Sequence, residues 1–513
     1  MNKRNAKKLR FVLLACFLFL GSNVFALPFD MILSGDPTLE DLRFLSLESG
    51  RPFLSFTPPL APAEVENFLD SIDPSLLREP AQQAYYRIRE RLIPQARLSF
   101  TSNAFSTFFN INSMVEGRVR FNTDLDWHPL NPDIPPMVSF PIRFFFADAV
   151  KLYLEPFIAV GVPYFETARI FGTNLHYNIE GDIDPTMPHR AFFAAGGQWW
   201  NFQLGRDRLF WGTGHTGSFS FSDNANYFEY ARLSFFSARL KYSLIINQMP
   251  LYRIMQRHFY LHRLDFALSN TLSIGIMEGR MVGNSPLNLR YINPLMIFLP
   301  HAEDESISFF SLEANWNIAR SFSVYGQFVM TDFALPNGNS GRSPSGLGFM
   351  AGLNFTRSFN TWASVFFLEY MYTYPYLYMG SSSLLSFIQR NKITVSRTRY
   401  YFIGYPRDTM ALTLGARFFR GNSLSFEGEL AWVSRGEYAT SDVLWTWVAS
   451  GVNERSLSGT PENNYIASFA ARWQPFTHFA FGGSITGILS NNNNNSGTNI
   501  AGGQVAFSVI FQY

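Results

Sequence analysis

A chain of 513 residues with 54 Phe, 23 Tyr and near-neutral mean hydropathy carries more aromatic surface than one compact core can hold, which argues against an ordinary soluble globule. Residues 1–26 contain the single cysteine and five of the 41 Lys and Arg, so the rest of the chain has 36 basic against 39 acidic residues, a formal charge of about −3. That balance excludes a nucleic-acid footprint, a body without cysteine excludes a disulfide framework or thiolate metal site, and eight scattered histidines lack the ligand spacing of a zinc site.

The amino-terminus predicts export. Lys3, Arg4, Lys7, Lys8 and Arg10 precede an apolar run over residues 11–20 and a small-residue site at Val24-Phe25-Ala26, so residues 1–26 read as a signal peptide. Leu13-Leu14-Ala15-Cys16 also resembles a loose lipoprotein box that would lipidate Cys16, but the apolar run continues past it. Beyond this segment no uninterrupted apolar run reaches ~18 residues, which rules out a helical membrane span and leaves strands, whose faces are only half apolar.

Residues 27–95 form a predicted helical module punctuated by proline. Pro62 and Pro74 stand where helices start, the better helices cover 63–69 and 76–92, and Val65, Phe68, Leu69 and Ile72 recur at three- and four-residue spacing. Such a module either plugs or caps a barrel mouth or serves as a periplasmic lead-in.

Residues 96–513 read as strands, least regularly over 198–301, where most of the distinctive chemistry sits. Gly205-Arg206-Asp207-Arg208-Leu209-Phe210-Trp211-Gly212 leads to His215 and then to Asp223 and Asn224; Arg232, Arg263, Asp265 and Glu278 follow. Charged and aromatic groups of this kind suit sugar hydroxyls and uronate carboxylates; they equally suit an internal ion-pair network that pins a barrel. Gly212, Gly214 and Gly217 have dinucleotide-fingerprint spacing but no surrounding strand–helix alternation, so a tight turn folded inward explains them better. Glu278 shares parity with Leu272, Ile274 and Ile276, so either the strand ends before it or a bulge turns it inward.

Further along, period-two alternation is clear. Phe310, Leu312 and Trp316 alternate with Glu313 and Asn315, and Trp362, Phe366, Leu368 and Tyr370 with Glu369. Leu412, Leu414, Ala416 and Phe418 alternate with Arg417, and Leu424, Phe426, Leu430 and Trp432 with Glu427 and Glu429. Arg417 and the two glutamates are predicted to meet inside, because a Lys or Arg at a lipid midplane costs roughly 2–4 kcal/mol. Short turns at 419–422 and 475–478 read as periplasmic, and long connections at 333–345, 379–406, 438–464 and 491–495 as extracellular. The Asn run at 491–495 looks too polar and featureless to fold alone. Trp445 and Trp447 could stack on sugar rings or pack their own loop. At the end, Val505, Phe507, Val509, Phe511 and Tyr513 alternate toward an aromatic carboxy-terminus, the pattern of a closing barrel strand, with Phe511 and Tyr513 as a barrel-assembly signal.

The fold class predicted is therefore all-β: a transmembrane outer-membrane β-barrel of about eighteen antiparallel strands with a small amino-terminal helical module. The Gly-Arg-Asp-Arg segment, Trp211-Gly212, Ser222-Asp223-Asn224, His262-Arg263-Leu264-Asp265, Glu278 and Tyr291-Ile292-Asn293-Pro294-Leu295, in that order, resemble the Wzi-type capsule-assembly outer-membrane proteins. Tyr374-Pro375-Tyr376, residues 404–408 and Gly50-Arg51-Pro52 fit the same pattern. The resemblance implies a helical bundle at the periplasmic end of a barrel and a lectin-like role in holding capsular polysaccharide at the surface of a diderm bacterium. It does not fix the ligand. Expected partners are surface polysaccharide, outer-membrane lipid, the barrel-assembly machinery and the polysaccharide export machinery, for a monomer without a cofactor. No enzyme is expected: Glu427 and Glu429 lie two apart on one strand, and His215, Ser218 and Asp223 form no nucleophile motif. The reading of another class is a diffusion porin or substrate channel, which needs an open charged constriction where a lectin tolerates a plugged interior.

Overall fold

The computed structural model describes residues 30–94, 98–102, 105–122, 137–146, 150–158, 190–222, 227–252, 255–293, 295, 306–332, 344–379, 388–390, 398–400, 407–439 and 455–512. The region read as a signal peptide, Cys16, Asp223, Asn224, Trp445, Trp447 and Tyr513 lie outside these residues.

The described chain is all-β apart from its beginning. Three α-helices come first: α1 (Thr38–Ser49), α2 (Pro62–Leu69) and α3 (Glu79–Leu92). Pro62 occupies the first turn of α2, where its missing N–H is no loss, and Glu64 reaches back to the Ala61 N–H at 3.2 Å. Pro74 starts only a short 3-10 turn, Pro74–Leu76, and the longer helix begins at Glu79, later than the periodicity suggests. The spaced apolar set is buried as its pattern requires: Val65 and Leu69 are completely covered, each contributing about 1.5–3 kcal/mol. Arg87 joins α3 to Asp41 of α1 at 2.6 Å.

One antiparallel sheet contains every strand except the small pair Ile388–Arg390 and Thr398–Tyr400. From Arg190–Gly196 onward each strand of this sheet pairs with the next one of the sheet, Trp362–Thr373 passing over the small pair to Thr409–Arg420, up to Phe479–Asn491 with Ile500–Gln512. The last strand also pairs with Asn112–Phe121 near the start, Val509 opposite Val115 and Phe511 opposite Ser113. At one end of the sheet the strands meet in short turns, where Ser321, Asn360 and Gly421 take the positive φ that a tight reversal needs. The other end carries the long connections.

The two faces differ in chemistry. The outer face carries exposed apolar side chains, among them Leu312, Trp316, Leu353, Leu412, Leu414, Leu430, Ile485 and Phe507. The inner face carries buried charge and polarity: Arg232, Lys241, Arg263, Asp265, Glu313 and Glu369. The alternations read along 310–316, 412–418 and 424–432 hold in register, with Leu412 opposite Trp432 and Arg417 opposite Glu427. Arg417 Nε lies 2.9 Å from Glu427, as the parity predicts, and a second nitrogen reaches Glu40 of α1 at 3.4 Å.

The helices dock on the inner face at the short-turn end. Ser321 N donates to Leu47 O at 2.9 Å, Asn317 Nδ2 to Ser46 O at 2.9 Å and Thr356 Oγ1 to Glu48 at 2.8 Å; Phe44 meets Phe419 edge to face. The bonds from Ser321 and Asn317 reach last-turn carbonyls of α1, which helix geometry leaves short of partners, while Thr356 holds the Glu48 carboxylate.

Candidate functional site

The distinctive residues of the middle region divide between two faces. The segment after Trp200–Asp207 leaves the sheet and crosses its inner face, so that residues 208–221 fill the interior. Trp211, Phe219 and Phe221 are completely buried against Phe228, Phe259, Phe309, Val329 and Met350. Backbone contact here is close: a Cβ on Gly214 would lie 2.3 Å from Gly217 O and 2.9 Å from Met350 Sδ. The glycine spacing thus makes an inward turn, as expected from the absence of strand–helix alternation.

Polar groups pin this segment and the preceding loop. Gly212 N donates to Phe56 O at 3.0 Å, and Arg43 of α1 donates to Thr213 O at 2.6 Å and Gly214 O at 3.2 Å. His215 stacks on Phe367 with ring centres 4.2 Å apart and holds Asn354 Oδ1 at 2.7 Å through Nε2. Burial first, and then Arg43, lower the His215 pKa, so its ring is neutral at pH 7. The Glu369 carboxylate accepts from His215 N at 2.9 Å and Tyr325 Oη at 2.6 Å.

Most of the remaining expected ligand residues lie in the same interior network, whereas Arg206 stands on the outer parity of Trp200–Asp207, opposite Glu229. Arg263 sits between Asp265 at 2.6 Å and Glu313 at 3.3 Å, with Ser55 Oγ donating to Asp265 at 2.8 Å. Arg232 donates to Thr57 O and Pro59 O at 2.9 and 3.1 Å and lies over the Trp211 ring. Lys241 pairs with Glu64 of α2, Asp207 with Arg190 at 2.7 Å, and Arg206 with Glu229 at 2.6 Å through Nε. The Arg208 N–H donates to Asp207 at 2.7 Å. Arg263, Asp265, Arg232, Asp207 and Trp211 retain at most 1% of their surface, so the structure brings them together as ties between the helical segment, residues 208–221 and the wall.

Glu278 departs from both alternatives drawn from its parity. Leu272–Gly283 runs through it with no register shift, so neither a strand end nor a bulge is present. It stays on the outer face, opposite His262 and Phe310, because unbroken pairing fixes the side of every residue by its parity.

A second polar assembly occupies the end with the long connections. The Asp408 carboxylate accepts from Ser458 N at 2.9 Å, Ser458 Oγ and Tyr438 N at 3.3 Å, while burial pushes its pKa up against those bonds. Arg435 pairs with the buried Glu462 at 2.8 Å, which also accepts from Asn464 and Ser490. The Asn run is not featureless: Asn492 and Asn495 donate side-chain amides to Thr460 O at 2.7 and 2.9 Å, and Asn492, Asn494 and Asn495 all take positive φ. Asparagine tolerates that region best among residues with a side chain. The result is a rim of exposed hydroxyls and amides, including Thr460, Asn494, Ser496, Thr498 and Asn499. Sequence reading missed this assembly because Asp408, the Ser458–Glu462 stretch and the Asn run come from three separate connections; the Asn run itself was its clearest local signal.

Residues 170–383 match the family model of capsule assembly protein Wzi. Among solved structures, the chain is similar to Wzi of Escherichia coli, described as an outer membrane protein involved in group 1 capsule assembly and a carbohydrate-binding beta-barrel. The two share 14% identity at a TM-score of 0.59 over 93% of this chain and 98% of that one. OprD of Pseudomonas aeruginosa (11% identity, TM-score 0.41, 82% of this chain and 99% of that one) and OmpT of Vibrio cholerae (8%, 0.36, 81% and 99%) are too distant to carry an argument. No curated protein matches the sequence. The resemblance read from the motifs is thereby borne out: the chain is similar to the Wzi capsule-assembly family through residues 170–383 and shares its fold with Escherichia coli Wzi over nearly its whole length.

Proposed function

We propose that this protein is a non-enzymatic outer-membrane β-barrel that binds or organises surface polysaccharide, acting as a monomer and without a cofactor. Family similarity and the carbohydrate binding ascribed to the Escherichia coli relative support the ligand class. The pairing of Ile500–Gln512 with Asn112–Phe121 supports a sheet closed on itself. Its 22 segments include three interrupted runs and one short lead-in, Leu98–Ser102, which leaves about eighteen spanning strands, an even number as bacterial barrels have. An apolar outer face against a charged inner face is what a bilayer demands of such a wall. On this reading residues 1–26 are removed on export, 27–95 form a periplasmic plug, and 96–513 form the barrel with the rim outside. Phe511 and Tyr513 guide assembly by the barrel-assembly machinery, and the helical plug is where export machinery would dock.

The observation that carries the lectin reading over the porin is the filled interior. Trp211, Phe219, Phe221, Phe309 and Val329, all completely buried, stand where a diffusion channel needs water. Sugar recognition then falls to the rim, where hydroxyls and amides offer paired donors and acceptors. The test combines two measurements on one refolded preparation: saturable binding of surface polysaccharide from the source organism, and single-channel conductance. Binding without conductance is expected; steady conductance without binding would transfer the function to the channel.

A further inference from the structure

One sector of the outer face combines charge with a covering segment of chain. Glu278 and Arg280 stand on the outer parity of Leu272–Gly283, beside His258, Tyr260 and His262 of the neighbouring strand. Bare charge on a lipid-facing wall is strongly unfavourable, and here the chain covers it. Asn284, at φ 51°, reverses the backbone and donates its N–H to Gln256 O at 2.8 Å. Residues 285–293 then fold back over the outer face. Asn288 N donates to Tyr260 Oη at 3.0 Å, the Tyr291 carbonyl lies 3.3 Å from His262 Nε2, and the Tyr291 ring packs 5.2 Å from Tyr260 and 5.9 Å from the Arg280 guanidinium. Tyr260, Val282 and Tyr291 are buried together, apart from the interior cluster.

This strap is polar beneath and apolar above. Leu287, Leu289 and Leu295 are 53%, 78% and 88% exposed, and Leu264, Ile276 and Leu312 form an exposed apolar row on the same face. It covers the half of these strands remote from their short turn at residues 268–271. In the membrane orientation proposed above, on which this inference rests, that half lies in the outer leaflet.

We propose that residues 284–293 and Leu295 are a lipid-docking strap whose leucines enter the acyl chains of the outer leaflet while its polar underside shields Glu278 and Arg280. The apolar continuity with the wall selects lipid as the occupant. The strap is an added interfacial anchor rather than part of the sugar-binding rim.

The only cysteine lies within residues 1–26, so single cysteines can be placed cleanly in the processed chain. Leu289→Cys, Leu412→Cys on the wall and Ser484→Cys on the inner face would each carry a bimane label in phosphatidylcholine vesicles. Doxyl-labelled lipid and aqueous iodide would serve as quenchers, with Leu295→Cys replacing Leu289→Cys if that variant fails to fold. The strap predicts that the label at 289 follows the one at 412, several-fold more quenched by doxyl lipid than the label at 484 and protected from iodide. Adding Tyr291→Ala should release the strap and expose position 289 to iodide while heat-modifiability persists. Iodide quenching at 289 with lipid quenching kept at 412 would overturn the strap alone. Iodide quenching at both would overturn the barrel reading itself, and disulfide-linked dimers through 289 would replace lipid with a second copy of the chain.

Discussion

Two sectors of the inner face, both built from alternating strands, are filled differently. Across 228–373 the inward charges are sealed: Arg232, Lys241, Arg263, Asp265, Glu313 and Glu369 are nearly inaccessible and tied to residues 51–64 and 208–221. Away from the buried Arg435–Glu462 pair, several of the corresponding positions across 409–512 are small or open. Ala470, Ser484 and Ala506 follow one another across the sheet, and the Glu427 side chain keeps 53% of its surface. The strand pattern alone does not set interior packing; the segment lying against the wall does. A charge facing that segment must be paired, whereas one facing open space is hydrated.

Removing charges sharpens the contrast most. Arg263→Ala should cost about 3–5 kcal/mol, because it strands Asp265 and Glu313 without their cation in a sealed site, read as a lower midpoint of thermal unfolding in detergent. Glu427→Ala, in the open sector, should cost about 0–1 kcal/mol by the same assay. Equal losses would break the comparison.

Between these lies a test of the outer face. Leu414→Arg, in the middle of Thr409–Arg420, should destabilise by roughly 2–4 kcal/mol and Leu489→Arg, two residues from the rim end of Phe479–Asn491, by about 0–1 kcal/mol, measured as folding efficiency into vesicles.

The smallest effect comes from pH at the plug. Burial alone would raise the Asp30 pKa, but Lys151, Arg143 and Arg91 outweigh it and hold the carboxyl well below the usual range. A depressed carboxyl stabilises the fold above its unfolded value of about 3.9 and loses that contribution as pH falls toward the folded one. Acid unfolding of an Asp30→Asn variant should therefore be flatter below about pH 4 than that of the parent chain.

Much of the fold was legible because strand geometry imposes a local rule. Leu412 to Phe418 against Arg417, and Phe310 to Trp316 against Glu313, revealed their faces through period-two alternation alone. The same rule misled at Glu278, where parity was right and the assumption that an outward charge must turn inward was wrong. Residues 285–293 instead fold over the neighbouring Tyr260, His262 and Arg280 on that face, contacts no short window reveals. The helical module was visible in Val65, Phe68, Leu69 and Ile72, while α1 has too weak a stripe to stand out. Of the candidate site, residue types and order in 205–265 were legible, and their burial was not, since it depends on helices from 38–92 reaching strands far along the chain.

The sequence by itself determined which side chains share a face and which family the motifs resemble, because alternation and motif order are properties of neighbouring residues. Tertiary structure decided that Arg232, Arg263 and Trp211 are sealed inside, that the Asn run docks on Thr460, and that a polar strap lies on the outer wall. Each depends on desolvation by segments distant in sequence, and desolvation is fixed only when the chain has closed around the group.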